Sequence, residues 1–281
     1  MADRPRQAAR AGSWYKRGVA TFSALQILAY ALSSVAYLGY LLKTRDRAAQ
    51  VGRLLLALGV LLHFADIGWR CVHGQNPISS TPEAMSFIAF LIAVGYLIAT
   101  FRYKLAAAGA FAVPSVLTLL MLARVVPAEQ ATPAMGTLGR AHIFLSTVGV
   151  AVFALAAALA VLYLFEDRQL KRKQFGRMIR GGAPLETLDR LALRCVSIGF
   201  PIFTIALVTG AIWIARIGGV TAPKTLRPEY LLALVTWIAF GVLLVARVGA
   251  GWQGRRAAWL TLGGFGSAVL VVFVYFLRHA A

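Results

Sequence analysis

Four histidines are the side chains of this 281-residue chain whose positions best suit chemistry. His73, His142 and His279 fall near the ends of apolar segments, whereas His63 lies inside one, seven residues before Arg70. A titratable ring within a membrane segment is a candidate functional group, and neutral imidazole is a common ligand for iron. The alternative is a histidine that only hydrogen-bonds to a neighbouring helix. The pattern leaves both interpretations open.

Acidic residues accompany His63. Asp66 follows it by three residues and therefore shares its helix face, where the carboxylate either orients the ring through its second nitrogen or pairs with Arg70, one turn further on. Glu83 opens the next apolar segment, and an acid at a helix N-terminus is favourable by itself. The sequence contains no pattern of a hydrolytic triad, a phosphate loop or a zinc site.

The composition identifies the surroundings of these residues. With 59% hydrophobic and only 14% charged residues, the chain is too apolar for one soluble domain. We predict an all-α, polytopic membrane helical bundle of about eight transmembrane helices, near 19–42, 52–69, 84–101, 104–124, 140–165, 191–215, 230–248 and 257–277. The net charge of +19 lies mostly between these spans, so we expect a lipid bilayer and no nucleic acid as a partner.

The distribution of cations predicts the orientation. Seventeen Lys and Arg residues lie in or beside the loops after odd-numbered spans, and six in or beside those after even-numbered spans. The positive-inside rule then makes loop 166–190 cytoplasmic and places both termini outside, although the basic tail 1–17 would by itself prefer the inside. We expect the bacterial cytoplasmic (inner) membrane and one transmembrane domain, 18–281, after that tail. The amphipathic stretch 185–194 is predicted to lie in the interface before the sixth span.

Several segments carry a resemblance to a known family. The stretch from Gly74 to Phe87, GQNPISSTPEAMSF, resembles the G-H-x-P-x-S-N-x-Y-E-S-x-x-F loop of cytochrome c assembly proteins of the CcsA and CcmC type. RAHIFLSTVG, around His142, is similar to the family segment in which an outer histidine opens a span. LETLDRL and IGFPIFTIALVTGAIW resemble the next family span. The resemblance covers nearly the whole chain from the second span onward.

The chain also departs from that family. Its cytochrome c haem lyases carry a tryptophan-rich outer loop, W-G-x-x-W-x-W-D-P-K-E, where this chain has VTAPKTLRPEY, ending at Tyr230. Arg227 stands where the motif has its aspartate, and Val245 occupies the place of an intramembrane histidine. The resemblance is therefore closest to the HemX-like branch, whose eight-span members lack the tryptophan-rich loop.

The resemblance implies a function in which haem b is bound non-covalently near the outer membrane face. It implies His63 and His142 as metal ligands, and the surrounding cofactor-binding residues would be Asp66, Glu83, Arg70, Arg140 and Arg227, the arginines serving the propionates. Other proteins of cytochrome c assembly or haem biosynthesis are the implied partners. Without the tryptophan-rich loop, we expect no enzymatic attachment of haem to a cytochrome.

Two other functions stay open at this point. A HemX-like accessory or regulatory membrane protein of haem biosynthesis would act through protein contacts and need not bind haem. A transporter has less support, because the sequence shows no paired broken spans and no inverted repeat.

Overall fold

The protein is all-α. The computed structural model describes residues 4–43, 45–126, 136–172, 183–218 and 228–280, with side chains described for 18–43, 45–126, 136–172, 183–216 and 228–274. In these ranges the helices are α1 (Arg4–Lys43), α2 (Asp46–Val72), α3 (Thr81–Arg102), α4 (Ala106–Val125), α5 (Thr137–Lys171), α6 (Leu185–Gly218), α7 (Pro228–Gly249) and α8 (Arg255–Ala280).

All eight helices contain an apolar segment long enough to cross a membrane. The predicted polytopic helical bundle is confirmed, and each predicted span coincides with one helix, although the fourth span was predicted to begin two residues before α4 does. The helices run beyond the apolar segments, because polar residues at their ends continue the helix into the interface. In the described backbone, for example, the basic tail is helical from Arg4.

Helix packing divides the bundle into two groups that meet at α3 and α5. In the first group α1 packs extensively on α2 and on α4, and α3 packs on α4; in the second, α5 packs on α6 and α8, and α7 on α8. The second group is centred on the rings of Phe153 and Phe240, which stack with centroids 3.8 Å apart. Because α3 lies against both α2 and α5, residues on α2 and α5 are placed on either side of it.

The buried face of α1 is polar, although its other faces are apolar. Among its described side chains, all the buried ones except Ala29 carry a polar atom: Ser23, Gln26, Tyr30, Ser33, Ser34, Tyr37 and Tyr40. Leu28 and Val35, by contrast, are exposed. Polar groups in a membrane favour the protein interior, where they find partners that lipid cannot supply. This face brings the Tyr30 hydroxyl to the centre of the first helix group, where Gly59 makes room for the ring; a Cβ at Gly59 would lie 2.8 Å from Tyr30 Cε1.

The predicted interfacial segment before the sixth span is part of α6. Leu188 is completely buried in the core, so this stretch packs on the bundle. Asp189 accepts hydrogen bonds from Arg247 Nη1 at 2.7 Å and from the Gly254 backbone N–H at 3.0 Å, and its carbonyl oxygen accepts one from Arg247 Nη2 at 3.0 Å. These bonds join α6 to α7 and to the connection that follows α7.

Candidate functional site

His63 lies in the interior of the first helix group and has no solvent exposure. Its Nδ1 is 3.3 Å from the Tyr30 hydroxyl on α1, and its Nε2 is 3.0 Å from the Ser86 hydroxyl on α3. The Phe90 ring lies edge-on at 5.3 Å between centroids. Both ring nitrogens therefore have protein partners, which is the arrangement of a histidine that hydrogen-bonds between helices.

Asp66, Arg70 and Glu83 form a charged cluster at the end of α2. Arg70 Nε donates to Asp66 Oδ1 at 3.2 Å, and Arg70 Nη1 lies 3.9 Å from Glu83 Oε1. Of the two predicted roles for Asp66, the structure shows the pair with Arg70. Glu83 does more than favour a helix N-terminus, since its Oε2 accepts hydrogen bonds from the Ser79 and Ser80 hydroxyls. The cluster thus holds the α2–α3 connection against the end of α2.

A cavity of about 240 Å³ lies beside this cluster, between the ends of α2 and α4 and the start of α3. Arg124, in the last turn of α4, lines it. The sequence interpretation did not single out Arg124. A cation at the end of a span was counted only as a topology signal, and its proximity to α2 depends on tertiary packing. The other lining residues that matter here are Asp66, Arg70, Glu83 and Ser86.

His142 occupies a different position, in the early part of α5 against α6. Its Nδ1 lies 2.7 Å from the backbone carbonyl oxygen of Ala206. A carbonyl can only accept, so Nδ1 carries the hydrogen and the neutral ring keeps its lone pair on Nε2. Gly210 provides the space, since a Cβ there would lie 2.7 Å from His142 Cε1.

Trp213, one turn beyond Gly210, adds a donor near this ring. The His142 and Trp213 ring centroids are 6.0 Å apart. The indole Nε1–H is buried and has no hydrogen-bond partner among the described residues. A buried donor without a partner among the described residues, close to an imidazole ring, is a suitable setting for a ligand with an acceptor group.

Four phenylalanines connect the two histidine regions. Phe64 on α2 stacks on Phe90 of α3, Phe90 on Phe87, and Phe87 on Phe144 of α5, with centroids 6.4, 6.3 and 6.1 Å apart. We call these four rings the phenylalanine strip. Phe144 follows His142 by two residues and is exposed, as is Phe64. The strip offers a largely apolar surface from one helix group to the other.

The described structure does not bring His63 and His142 onto one cavity. The ring of His63 contacts side chains of α1 and α3, whereas the contacts of His142 are with α6. The strip and α3 lie between them. In the part of the chain with described side chains, no three His, Cys, Asp or Glu residues are grouped as metal ligands.

The remaining candidates lie apart from these contacts. Arg140 is exposed in the first turn of α5, and Arg227 lies outside the described residues. His73 caps the end of α2, where its Nδ1 is 2.7 Å from the Trp69 carbonyl oxygen. His279 belongs to α8, but its side chain lies outside the described ones. Val245, at the place of a family histidine, is 73% exposed and faces away from the packed bundle.

Comparisons with known proteins find relatives among cytochrome c biogenesis proteins. The chain is 39% identical over 92 residues to the cytochrome c biogenesis protein CcsA of Trichormus variabilis, which covers 33% of this chain and 24% of that protein. The corresponding protein of Thermosynechococcus vestitus is 40% identical over 92 residues, again 33% of this chain and 27% of that protein. CcsA of Trieres chinensis is 24% identical over 267 residues, covering 81% of this chain and 83% of that protein.

The match to the cyanobacterial relatives therefore spans about a quarter of their length. A sequence model of a wider family, described as cytochrome C assembly protein, matches residues 75–279. That range includes α3 through nearly all of α8, with Glu83, the phenylalanine strip from Phe87 onward, and His142. The chain, an integral membrane protein with eight membrane-length helices in its described residues, belongs to the cytochrome c assembly protein family.

Proposed function

We propose that this protein binds haem b non-covalently near the outer membrane face and presents it for cytochrome c assembly without attaching it. The main support for this proposal is the hydrogen bond of His142. Its Nδ1–H donates to the Ala206 carbonyl oxygen, so Nε2 keeps its lone pair. Haem is the cargo in this proposal. The names of the relatives support a function in cytochrome c assembly, since they are cytochrome c biogenesis proteins.

The residues around His142 fit such a cargo. Phe144, at the α5 end of the phenylalanine strip, lies on a different face of α5 from His142 and supplies an apolar surface for a porphyrin on the side of α5 that meets α3. The Trp213 indole N–H, which has no partner among the described residues, supplies a donor near His142. Bound haem would supply an iron atom with open coordination positions. The chain's own contribution is to fix the ring of His142 in one tautomer, in which Nε2 keeps its lone pair.

His63 remains a predicted second ligand. For that role its Nε2 would have to exchange the Ser86 hydroxyl for iron, and the ring, which is fully buried, would have to become accessible. We propose His142 as the ligand, because its Nε2 has no hydrogen-bond partner among the described residues. A site shared by both histidines would require α3 to move.

A second function is favoured by the hydrogen bonds that both ring nitrogens of His63 make to neighbouring helices. If both histidines serve only as hydrogen-bonding groups between helices, the protein is a HemX-like accessory or regulatory protein of haem biosynthesis that acts without haem. In that case the charged cluster of Asp66, Arg70 and Glu83 would stabilise the outer surface for a protein partner.

Titration of the purified protein with haem separates these functions. In lipid nanodiscs, the wild-type protein is expected to give a saturable Soret band at one haem per chain that survives washing on a size-exclusion column. The matched control is His73→Ala, which removes a histidine that caps α2 and should leave the titration unchanged. A protein that stays colourless after reconstitution supports the accessory function and contradicts haem binding.

His63→Ala is expected to weaken haem binding if the two-histidine prediction is correct. Because this ring bonds to Tyr30 and Ser86, the variant also leaves the buried Tyr30 hydroxyl without this partner and should cost about 1–3 kcal/mol of stability. Haem affinity and the thermal midpoint of the haem-free protein are therefore measured together. Unchanged affinity with a lowered midpoint would show that His63 is structural.

We also propose the orientation with loop 166–190 in the cytoplasm, both termini outside and the protein in the bacterial inner membrane, on the basis of the loop cations. The native cysteines test it. Cys71 is exposed in the last turn of α2, at the proposed outer end. Cys195 lies in the part of α6 nearer the proposed cytoplasmic side. A membrane-impermeant maleimide is expected to label wild-type protein on intact spheroplasts and to leave Cys71→Ser unlabelled. Labelling that requires permeabilised membranes would reverse the topology.

A further inference from the structure

The cavity at the ends of α2, α3 and α4 is too small for a whole haem. Its volume is about 240 Å³, below the roughly 300–1,000 Å³ of pockets that enclose drug-sized ligands. It is nevertheless lined by charged groups, with Ile67, Pro77 and Pro82 among its apolar walls. Such a cavity suits one polar substituent of a larger ligand.

The charged groups of this cavity are unequally paired. Asp66 is bound to Arg70 at 3.2 Å, and Glu83 faces Arg70 at 3.9 Å while accepting two serine hydroxyls. Arg124 lines the same cavity as Arg70 and Asp66. Within the described residues, however, no hydrogen bond or ion pair is formed by Arg124. Among the described residues, its guanidinium therefore lines the cavity with donors that have no protein partner, while the carboxylates there are already engaged.

A guanidinium with unused donors beside a second guanidinium favours an anion with two oxygens. The planar fork of arginine matches a carboxylate, and an anion between the two cations would relieve their repulsion. Glu83 lines the cavity, and Phe87 of the phenylalanine strip follows it by one turn on the same face of α3. The cavity therefore lies next to the surface proposed for the porphyrin.

We infer that this cavity is a subsite for one carboxylate arm of haem and that Arg124 is the residue that binds it. The inference rests on the proposed haem-binding function and adds to it a binding residue and a location. In this arrangement the proposed iron ligand, His142, is on the second helix group, and the carboxylate subsite is on the first. The same chemistry could come from a lipid phosphate, because Arg124 is at a helix end and is exposed.

Haem and haem dimethyl ester, in which both carboxylates are esterified, are the probes that separate these sources. Soret titrations in phosphatidylcholine nanodiscs compare wild type with Arg124→Gln, Arg124→Lys and the control Arg216→Gln. Arg216 is an exposed cation in the last turn of α6, at the same proposed membrane face but away from the cavity. Each haem-free variant is first checked for a monodisperse elution profile.

Wild type and Arg216→Gln are expected to bind haem about ten- to a hundredfold more tightly than the dimethyl ester, the range of one charge-assisted hydrogen-bonded contact. Arg124→Gln should lose this difference by weakening haem alone, and Arg124→Lys should keep part of it. Equal weakening of both probes by Arg124→Gln would assign Arg124 to the fold or to lipid and overturn the inference, as would no effect on either probe. Both of those results leave the proposed function intact, whereas a wild type that binds neither probe overturns function and subsite together.

Discussion

Asp189→Ala is expected to lower the free energy of unfolding by about 3–5 kcal/mol, the usual cost of removing one partner of a buried ion pair. Arg247, whose side chain is only 6% exposed, donates twice to Asp189. Without the carboxylate, Arg247 keeps only carbonyl partners at Asp189 and Trp252, and the Gly254 N–H loses its acceptor. Thermal or denaturant unfolding of the purified protein in detergent measures the change.

The control lies one turn earlier on the same helix. Glu186 pairs with Arg190, but the two side chains are 81% and 58% exposed, so Glu186→Ala should have little or no effect. The double variant Asp189→Ala with Arg247→Met removes both charges and should recover part of the lost stability. If Asp189→Ala and Glu186→Ala have equal effects, the ion pair does not stabilise the contact between α6 and α7.

Coexpression with an apocytochrome, in a host without its own cytochrome c assembly system, is expected to yield no covalently haem-stained cytochrome. Thioether formation requires the haem vinyl groups to be held in a fixed orientation. In the cytochrome c haem lyases that this chain resembles, the tryptophan-rich loop is expected to provide that orientation. Here residues 220–230 contain one aromatic ring, Tyr230, and Arg227 replaces the aspartate of the motif.

A CcsA-type lyase with the complete loop, expressed in the same host, is the positive control for that experiment. Haem staining is measured after denaturing electrophoresis, which removes non-covalent haem. Stained cytochrome at the level of the control would show that the tryptophan-rich loop is dispensable and that this protein is a lyase.

The helices could be predicted because each span is a long apolar run, and such runs have few alternatives in a bilayer. Which face of each helix is buried could not be predicted in the same way. Lipid and protein interior are both apolar, so hydrophobic contrast around a helix gives little information. In α1 the informative residues were the polar ones, since Gln26, Tyr30 and Ser33 line its buried face.

The candidate site was predicted where its contacts are local and missed where they are distant in sequence. The pair of Asp66 and Arg70 follows from their spacing of one helical turn, and the structure selects it over the pairing of Asp66 with His63. Arg124 reaches the same cluster only because the end of α4 packs beside α2 and α3. Likewise, spacing does not reveal that the Ala206 carbonyl oxygen holds His142 Nδ1.

The predicted pairing of His63 with His142 shows the same limit. The predicted topology puts both in the outer half of the membrane, which does not specify whether their rings face each other. The structure places α3 and the phenylalanine strip between them. The two-histidine site stays a prediction, and the single ligand His142 is the proposal that the described conformation supports.

Haem titration of His142→Gly, with and without added imidazole, tests the central claim most directly. Glycine removes the ring and leaves a space beside Gly210 that free imidazole can enter. The account predicts that His142→Gly loses most of the Soret change seen with wild type and that imidazole restores it, with no such restoration for His73→Gly. Wild-type haem affinity in His142→Gly without imidazole would show that this histidine is not the iron ligand and would contradict the account.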